Sequence, residues 1–532
     1  MSSTPDDPTR CADVTGGEVV DLGAQPTDTS GSGLPASGQP WGSVLTEHPA
    51  RPRPRGVLIG GGLLALALVG GGAAYAVAAL SGGGSQPEAG IPSSALAIVK
   101  VDLDPGAGQK VDALRFARRF PAVSTKMGSS DDPRRALFEA ATDAGELSGD
   151  WATDVEPWLG QRAALAVVPG ASADDDPAPI LVLAVTDAAK ARAGLAAVTD
   201  GKTQCAVAGE FAVCAKDAAV VTRAIADAER SSLADDRAFR ADVESLGGAG
   251  VALAWLDLAR AKAAVPVLES ALRGTGAAGL LGGSALGSDL KGRYVAALRF
   301  DGPNLEITGR VDGATLPAIG GASGVGDLPA GTIAALGTGG ADQIIDTAWT
   351  QLRATFDAQG MATTVDEQVA ALQDQYGIAV PGDIRAAVGK RVVVAFGGPG
   401  QGTPDVALRL GGTPDSVAKL VDVVQANAGD AVTLGQATAG SEMVIGSTQA
   451  YADKVATGSG LGSSKVFTDA VPAAKDAQQV AFVDIAGLLA VGYSTLGLDD
   501  TATQNLKPLS ALGMSTSRDG LAATFRVRLT TR

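Results

Sequence analysis

The chain has 532 residues, 58 of them acidic and 42 basic, a formal net charge of −16, and only 4 % aromatic residues. The acidic balance and the lack of a basic patch argue against a nucleic-acid partner, and the scarcity of rings argues against stacking platforms for sugars or single strands. The one histidine, His48, lies near the N-terminus, so the rest of the chain has no imidazole for a general base, a Ser-His-Asp triad or a metal.

Residues 1–56 are rich in Pro, Gly, Ser, Thr and Asp without apolar periodicity, and read as a disordered tail. Behind Arg51, Arg53 and Arg55, Val57–Leu80 runs 24 residues without a charge. As a helix it reaches about 36 Å, enough to cross a hydrocarbon core of roughly 30 Å. The arginines place the tail in the cytoplasm and everything after Leu80 outside the cell membrane. A cleaved signal peptide is the alternative, helped by the small residues at Ala76-Val77-Ala78-Ala79. Its n-region would be 56 residues long, far beyond the usual form, so an uncleaved anchor is the preferred reading. Gly56/Gly60 and Gly70/Ala74/Ala78 form a small-residue face on which two copies of the helix would pair as a homodimer. The plainer account is that Ala and Gly are abundant along the whole chain. Residues 81–90 form a Gly/Ser/Pro tether. The outer part keeps 51 acids against 38 bases.

From Ile91 the chain repeats itself. Ile91-Pro92-Ser93-Ser94-Ala95 is answered by Leu328-Pro329-Ala330-Gly331-Thr332. The strand Ala163–Val168, entered through Leu159-Gly160-Gln161-Arg162, is answered by Val392–Phe396, entered through Val388-Gly389-Lys390-Arg391. A strand over 179–186 and a helix over 188–198 parallel a strand over 404–411 and a helix over 414–424. A hairpin around Gly209-Glu210 parallels one around Ser441-Glu442. Phe239–Val243 matches Phe467–Val471, and Val251–Asp257 matches Val480–Asp484.

Both copies close with a hairpin turned by Asp-Gly, at Asp301-Gly302 and Asp519-Gly520. In the first, Leu305, Ile307 and Val311 alternate with Glu306, Thr308 and Arg310. In the second, Leu521, Phe525, Val527 and Leu529 oppose Thr524, Arg526 and Arg528. This alternation predicts a sheet with one face dry and the other wet, covered by helices such as Val111–Phe120. The fold class is therefore α+β: a tandem internal repeat of mostly antiparallel sheet with covering helices. It follows a disordered tail (1–56), a single transmembrane helix (57–80) and a linker (81–90), with repeats over 91–325 and 326–532. Whether the repeats fold apart or share one sheet stays open at this point.

Cys11 falls in the tail, leaving Cys205 and Cys214 as the outer pair. A two-residue turn at Gly209-Glu210 places Cys205 opposite Cys214 at a non-hydrogen-bonded position, with Cα atoms about 4.5 Å apart. The pair is expected to form a cross-strand structural disulfide.

The pieces Ile91-Pro92, Leu96–Asp104-Pro105, Gly108-Gln109-Lys110-Val111, Arg115-Phe116, Phe120-Pro121 and Asp154-Val155-Glu156-Pro157-Trp158-Leu159-Gly160 resemble a known family. With the tail–anchor–ectodomain layout, they are similar to the uncharacterised actinobacterial membrane proteins carrying the domain of unknown function numbered 3352. The likeness extends over about 91–532. It implies the membrane topology and supplies no activity or catalytic residue.

Several motifs invite chemistry and have plainer readings. Asp102 and Asp104 end a strand as a D-x-D pair that a Ca²⁺ would accept; capping of the next helix is the plainer account. Asp174-Asp175-Asp176 reads as a solvated turn. Asp257 and Asp484 recur at equivalent strand ends, as paired carboxylates or as repeated helix caps. Gly274–Gly279 satisfies G-x-G-x-x-G but follows a helix, and Gly458–Lys465 lacks P-loop spacing. Trp151 and Trp158 read as packing anchors, or as a ligand edge if exposed. No catalytic residue, metal ligand or cofactor site is expected. The function that fits is a membrane-anchored extracytoplasmic binding or scaffold protein of the cell envelope, engaging a protein or lipid partner. The alternatives are a lipid- or lipoprotein-handling protein with an apolar groove and, less favoured, a carboxylate-dependent envelope enzyme.

Overall fold

The computed structural model describes residues 84–120, 132–143, 147–172, 175–199, 201, 203–264, 292–313, 320–400, 403–428, 433–491 and 504–532. The N-terminal tail, the Val57–Leu80 run and the Gly274–Gly279 motif lie outside them. Among the described residues no helix is long and apolar enough to cross a membrane.

The first half opens with a 3-10 turn at Pro87–Gly90, strand β1 (Ala97–Asp102), helices α1 (Ala107–Ala117) and α2 (Pro133–Asp143), and a π-helical turn at Trp151–Val155. Strands β2 (Leu159–Val168) and β3 (Ala178–Val185), helix α3 (Ala188–Val198) and the hairpin β4 (Gln204–Ala208) and β5 (Phe211–Ala215) follow. The half closes with α4 (Ala218–Arg230), a 3-10 turn at Leu233–Asp235, α5 (Arg237–Ser245), β6 (Ala252–Asp257), α6 (Leu258–Ala264), β7 (Arg293–Asp301) and β8 (Asn304–Asp312).

The second half runs in the same order. After a turn at Val325–Asp327 come β9 (Ala334–Gly339), α7 (Ala341–Ala358), α8 (Ala362–Tyr376) and α9 (Gly382–Val388). Next are β10 (Arg391–Gly398), β11 (Asp405–Leu410), α10 (Pro414–Ala428), β12 (Gly435–Ala439) and β13 (Glu442–Gly446). Then follow α11 (Gln449–Thr457), a turn at Leu461–Ser463, α12 (Lys465–Ala470), β14 (Gln479–Asp484), α13 (Ile485–Ala490), β15 (Leu509–Asp519) and β16 (Ala522–Thr531). The α+β class with a large antiparallel sheet thus stands.

All sixteen strands form one sheet, ordered β12-β13-β11-β10-β9-β14-β15-β16-β8-β7-β6-β1-β2-β3-β5-β4. The halves share it: their last strands pair antiparallel, with Val527 opposite Ile307 and Arg528 opposite Glu306. Because β8 and β16 are equivalent strands, the order reads the same from either end.

On one face, α4 and α5 bury Val221, Ala224 and Phe239 against Ile98, Val182 and Trp255. In the second half α11 and α12 bury Val455 and Phe467 against Val393 and Phe482. The parallel extends to ring pairs: Phe239 meets Trp255 edge-on at 5.6 Å, and Phe467 meets Phe482 edge-on at 5.1 Å. On the opposite face α1 packs Ala113 and Phe116 onto Phe300, with Leu298, Leu305 and Leu529 around them. Gln109 fixes that helix, donating Nε2 to the Phe300 carbonyl at 2.7 Å and accepting the Phe300 N–H at 2.8 Å. Farther out, α3 lies on Trp158, Ala212 and Cys214, and α10 on Leu410 and Met443.

Three expectations change. The closing hairpins turn one residue later than the Asp-Gly pairs, at Gly302-Pro303 and Gly520-Leu521, with Asp301 opposite Asn304 and Asp519 opposite Ala522, so Leu521 lies exposed in a turn and not on the apolar face. The alternation of β8 is real, but the polar side is the dry one: Glu306 and Thr308 are 7 % and 5 % exposed, whereas Ile307 is 38 % exposed. The polar side chains are covered because they satisfy one another across the join between the halves. The second hairpin turns one residue earlier than expected, at Gly440-Ser441, with Ala439 opposite Glu442; Gly440 supplies the left-handed position at φ 64°. The hairpin of β4 and β5 has the register read from sequence, with Cys205 opposite Cys214, the Cα atoms 4.1 Å apart and the sulfurs bonded.

A Cβ at Gly309 on β8 would lie 2.1 Å from the Phe525 ring, which stacks on Tyr294 at 5.9 Å. Gly309→Ala should therefore destabilise the folded state by about 1–3 kcal/mol, measured by denaturant unfolding. Alkylation without reductant should leave Cys205 and Cys214 unlabelled and should label both after reduction.

Candidate functional site

Strand pairing aligns apolar side chains across the face that carries Ile307. One row runs Ile307, Val527, Met514, Ala481, Leu336, Val394 over strands β8, β16, β15, β14, β9 and β10. The neighbouring row runs Leu305, Leu529, Leu512, Val483, Ala334, Phe396 over the same strands. At about 4.8 Å per strand each row spans roughly 24 Å. Leu336 is 59 % exposed, Leu512 40 % and Val394 38 %. Contiguous exposed apolar area of this kind is uncommon on a folded surface, which makes this face the candidate site.

The gap in the cover comes from unlike helices in like places. In the first half α1 lies over β7 and β8. Its counterpart α7 instead packs mainly on α9 and α8. Among the described residues the floor at β16, β15, β14 and β9 lies between α1 on one side and α9 with α10 on the other, with the short α13 packed against β15 and β14. Leu352 on α7 and Leu372 on α8 are also exposed.

Polarity grades along β15. On the face of Leu512 and Met514, the next outward positions are Thr516 and Arg518. Thr516 is buried, and its Oγ1 has no hydrogen-bond partner among the described residues. Arg518 is half-buried and has no ion-pair partner among the described residues; burial alone lowers its pKa, with no charged neighbour acting on it. Its intrinsic value is high enough that the guanidinium stays charged.

The carboxylates singled out from sequence are used structurally. Asp102 accepts from Arg162 Nε at 3.0 Å and Gln86 Nε2 at 3.2 Å, and takes the Asp104 N–H at 2.8 Å. Asp104 pairs with Lys110, and Arg162 Nη2 donates to its carbonyl at 3.0 Å. Lys100 bonds Glu88 at 2.7 Å in the same buried group. Three acids face three cations, so the D-x-D pair is already neutralised. It does not cap α1, whose N-cap is Gly106. Among the described residues no cluster of His, Cys, Asp and Glu is arranged to hold a metal. Asp257 accepts the Arg260 N–H at 2.9 Å and Asp484 the Gly487 N–H at 2.8 Å, so both are caps.

Trp151 and Trp158 are buried. Trp158 Nε1 donates to the Asp154 carbonyl at 2.6 Å, and Trp151 packs on Phe138. They are anchors, and the ligand-edge alternative falls. Asp175 and Asp176 are exposed, Asp175 accepting the Ser172 N–H, while Asp174 lies outside the described residues. Gly458–Lys465 is a loop and 3-10 turn leading into α12.

The densest charge sits at the join of the halves. Glu306 faces Arg528 at 3.3 Å, Arg526 at 3.4 Å and Arg299 at 3.9 Å, and accepts from Thr308 Oγ1 at 2.9 Å. The Nε atoms of all three arginines are buried without a hydrogen-bond partner among the described residues. One carboxylate therefore faces three guanidinium groups, of which Arg528 also pairs with Asp301.

Sequence reasoning did not single out Leu336, Val394, Thr516 or Arg518. The available signal was the period-two pattern of the closing strands, together with an arginine on the apolar side of Met514–Arg518.

With this geometry in view, residues 58–205 match the family model described as Protein of unknown function (DUF3352). That stretch is a domain of this kind, beginning inside the uncharged run and ending at Cys205 on β4. It is shorter than the 91–532 over which the resemblance was drawn, and the second half lies outside it. No curated protein and no solved structure matches the chain.

Glu306→Ala should destabilise the fold by about 1–3 kcal/mol, because it removes the acid facing Arg299 and Arg526 and one of the two acids on Arg528. Chemical denaturation followed by circular dichroism checks this, with Glu306→Gln expected to fall between the two.

Proposed function

We propose that the chain is a single-pass membrane protein of the bacterial cell envelope, of the actinobacterial kind its sequence resembles. Its tail is cytoplasmic and its tandem α+β repeats lie outside, where they hold an apolar envelope ligand. The observation that carries this reading is the open apolar floor on β16, β15, β14 and β9, with Leu336 the most exposed of its residues. The uncharged run behind Arg51, Arg53 and Arg55 supports the anchor, and the Cys205–Cys214 bond suits an oxidising compartment. The carboxylates that would serve an enzyme are engaged in ion pairs and helix caps, which favours binding over catalysis.

The test is extraction of the purified full chain with organic solvent and mass spectrometry of what it carries. Wild type should yield an apolar molecule in amounts comparable to the protein. Leu336→Asp places a charge on the exposed floor while leaving the cores intact, and should yield several-fold less. Equal yields from both proteins would refute the reading. A reporter fused after Arg532 should be active only outside the cytoplasm.

A further inference from the structure

Strand β15 presents, on one face and at every second residue, Leu512, Met514, Thr516 and Arg518. The two apolar rows of the floor cross it at Leu512 and Met514. Outward of them lie a buried hydroxyl and then a half-buried cation, and neither side chain has a partner among the described residues. Residues that serve only the fold do not usually look like this. Buried hydroxyls are bonded, and other half-buried arginines here have a partner: Arg310 has Asp312, Arg293 has Asp242, and Arg223 donates to the Pro169 carbonyl. A buried polar group left unsatisfied is costly, so a group that arrives to satisfy it is favoured.

We infer that the apolar floor holds a long-chain fatty acid, its carboxylate on Arg518 and Thr516 and its alkyl chain running past Met514 toward Leu336. This deepens the apolar-ligand reading and rests on it. Charge complementarity selects the occupant: a single guanidinium answers a single carboxylate, which accepts Arg Nη–H bonds on its oxygens and has a lone pair left for the Thr516 hydroxyl. Length agrees with a diagonal path. Leu336 lies in the Met514 row, four residues along from Arg518 (about 14 Å at ~3.4 Å per residue) and two strands across (about 10 Å at ~4.8 Å per strand), about 17 Å direct; an acyl chain fills about half of a ~30 Å bilayer core, roughly 15 Å. The chain would cover Met514 and the Leu336 side chain that is now wet. The acid group would sit at the rim, where Arg518 is only half-buried.

The test uses the full chain in its membrane and two photoreactive probes with a diazirine near the chain end, palmitate and the corresponding alcohol. Palmitate should label peptides containing Leu336 or Leu512. Arg518→Gln should cut palmitate labelling by roughly tenfold or more while changing alcohol labelling less than about twofold, and Arg518→Lys should restore most of it. Thr516→Val should weaken palmitate labelling in the same sense and by less. If acid and alcohol label wild type equally and Arg518→Gln changes neither, the carboxylate assignment is wrong and the apolar-ligand reading stands. If neither probe labels this face in wild type, both fall. Unchanged circular dichroism of each variant separates loss of binding from loss of fold.

Discussion

Everything in this molecule depends on two equivalent strands pairing with each other. β8 and β16 each end a half, and by joining side by side they turn two eight-stranded sheets into one of sixteen. The pairing removes two edges that would otherwise expose unpaired backbone. The edges that remain, β4 and β12, are five residues each, and β4 is stapled to β5 by Cys205–Cys214. The join also explains the inverted faces of the closing strands. Where two halves meet with the same strand, like side chains come together, so the polar alternation of β8 lies beside the polar alternation of β16. Glu306 and the arginines around it are the result, a charged seam closed between two apolar cores.

That seam has specificity as its best account. A buried carboxylate with three arginines gains little net stability over an apolar packing of the same volume. A slip of one residue in the β8–β16 register would send Glu306 to the other face and leave the arginines without it. The seam therefore discriminates among registers more than it adds to stability. Gly309 works to the same end, since the Phe525 ring occupies the space a side chain there would need.

Much of this order was legible in the sequence because it rests on local signals. Asp-Gly pairs, which fall within one residue of the closing turns, period-two runs and the recurrence of Phe239 and Phe467 mark equivalent elements without knowledge of their neighbours. The Cys205–Cys214 pairing followed from one turn and simple register counting. What was not legible depended on contacts between halves. Alternation shows that a strand has two faces; which face is dry depends on what comes to lie over it, and β8 is covered by polar neighbours that are 200 residues away. Asp102 and Asp104 looked like a cation site because Arg162 and Lys110, which neutralise them, are remote or on the next helix. Arg518 gave no signal for the opposite reason: its character lies in lacking a partner, and absence of a partner cannot be read from neighbours in sequence.

The remaining asymmetry is where structure and function part. Two halves built in the same order would be expected to cover their sheets alike, and on the face of Trp255 and Phe482 they do. On the other face the first half uses α1, fixed by Gln109 on the Phe300 backbone, to close β7 and β8. The second half has a longer pair, α7 and α8, packed mainly on each other and on α9, and leaves β15 and β16 open. A covering helix at that place would bury Leu512 and Leu336 at little cost, as α1 buries Phe300. A sequence that keeps these side chains wet, and keeps Thr516 and Arg518 unsatisfied beside them, accepts lower stability in the free state than the same fold has elsewhere. Such a concession is what favours the proposal that a ligand supplies the missing contacts on the uncovered half.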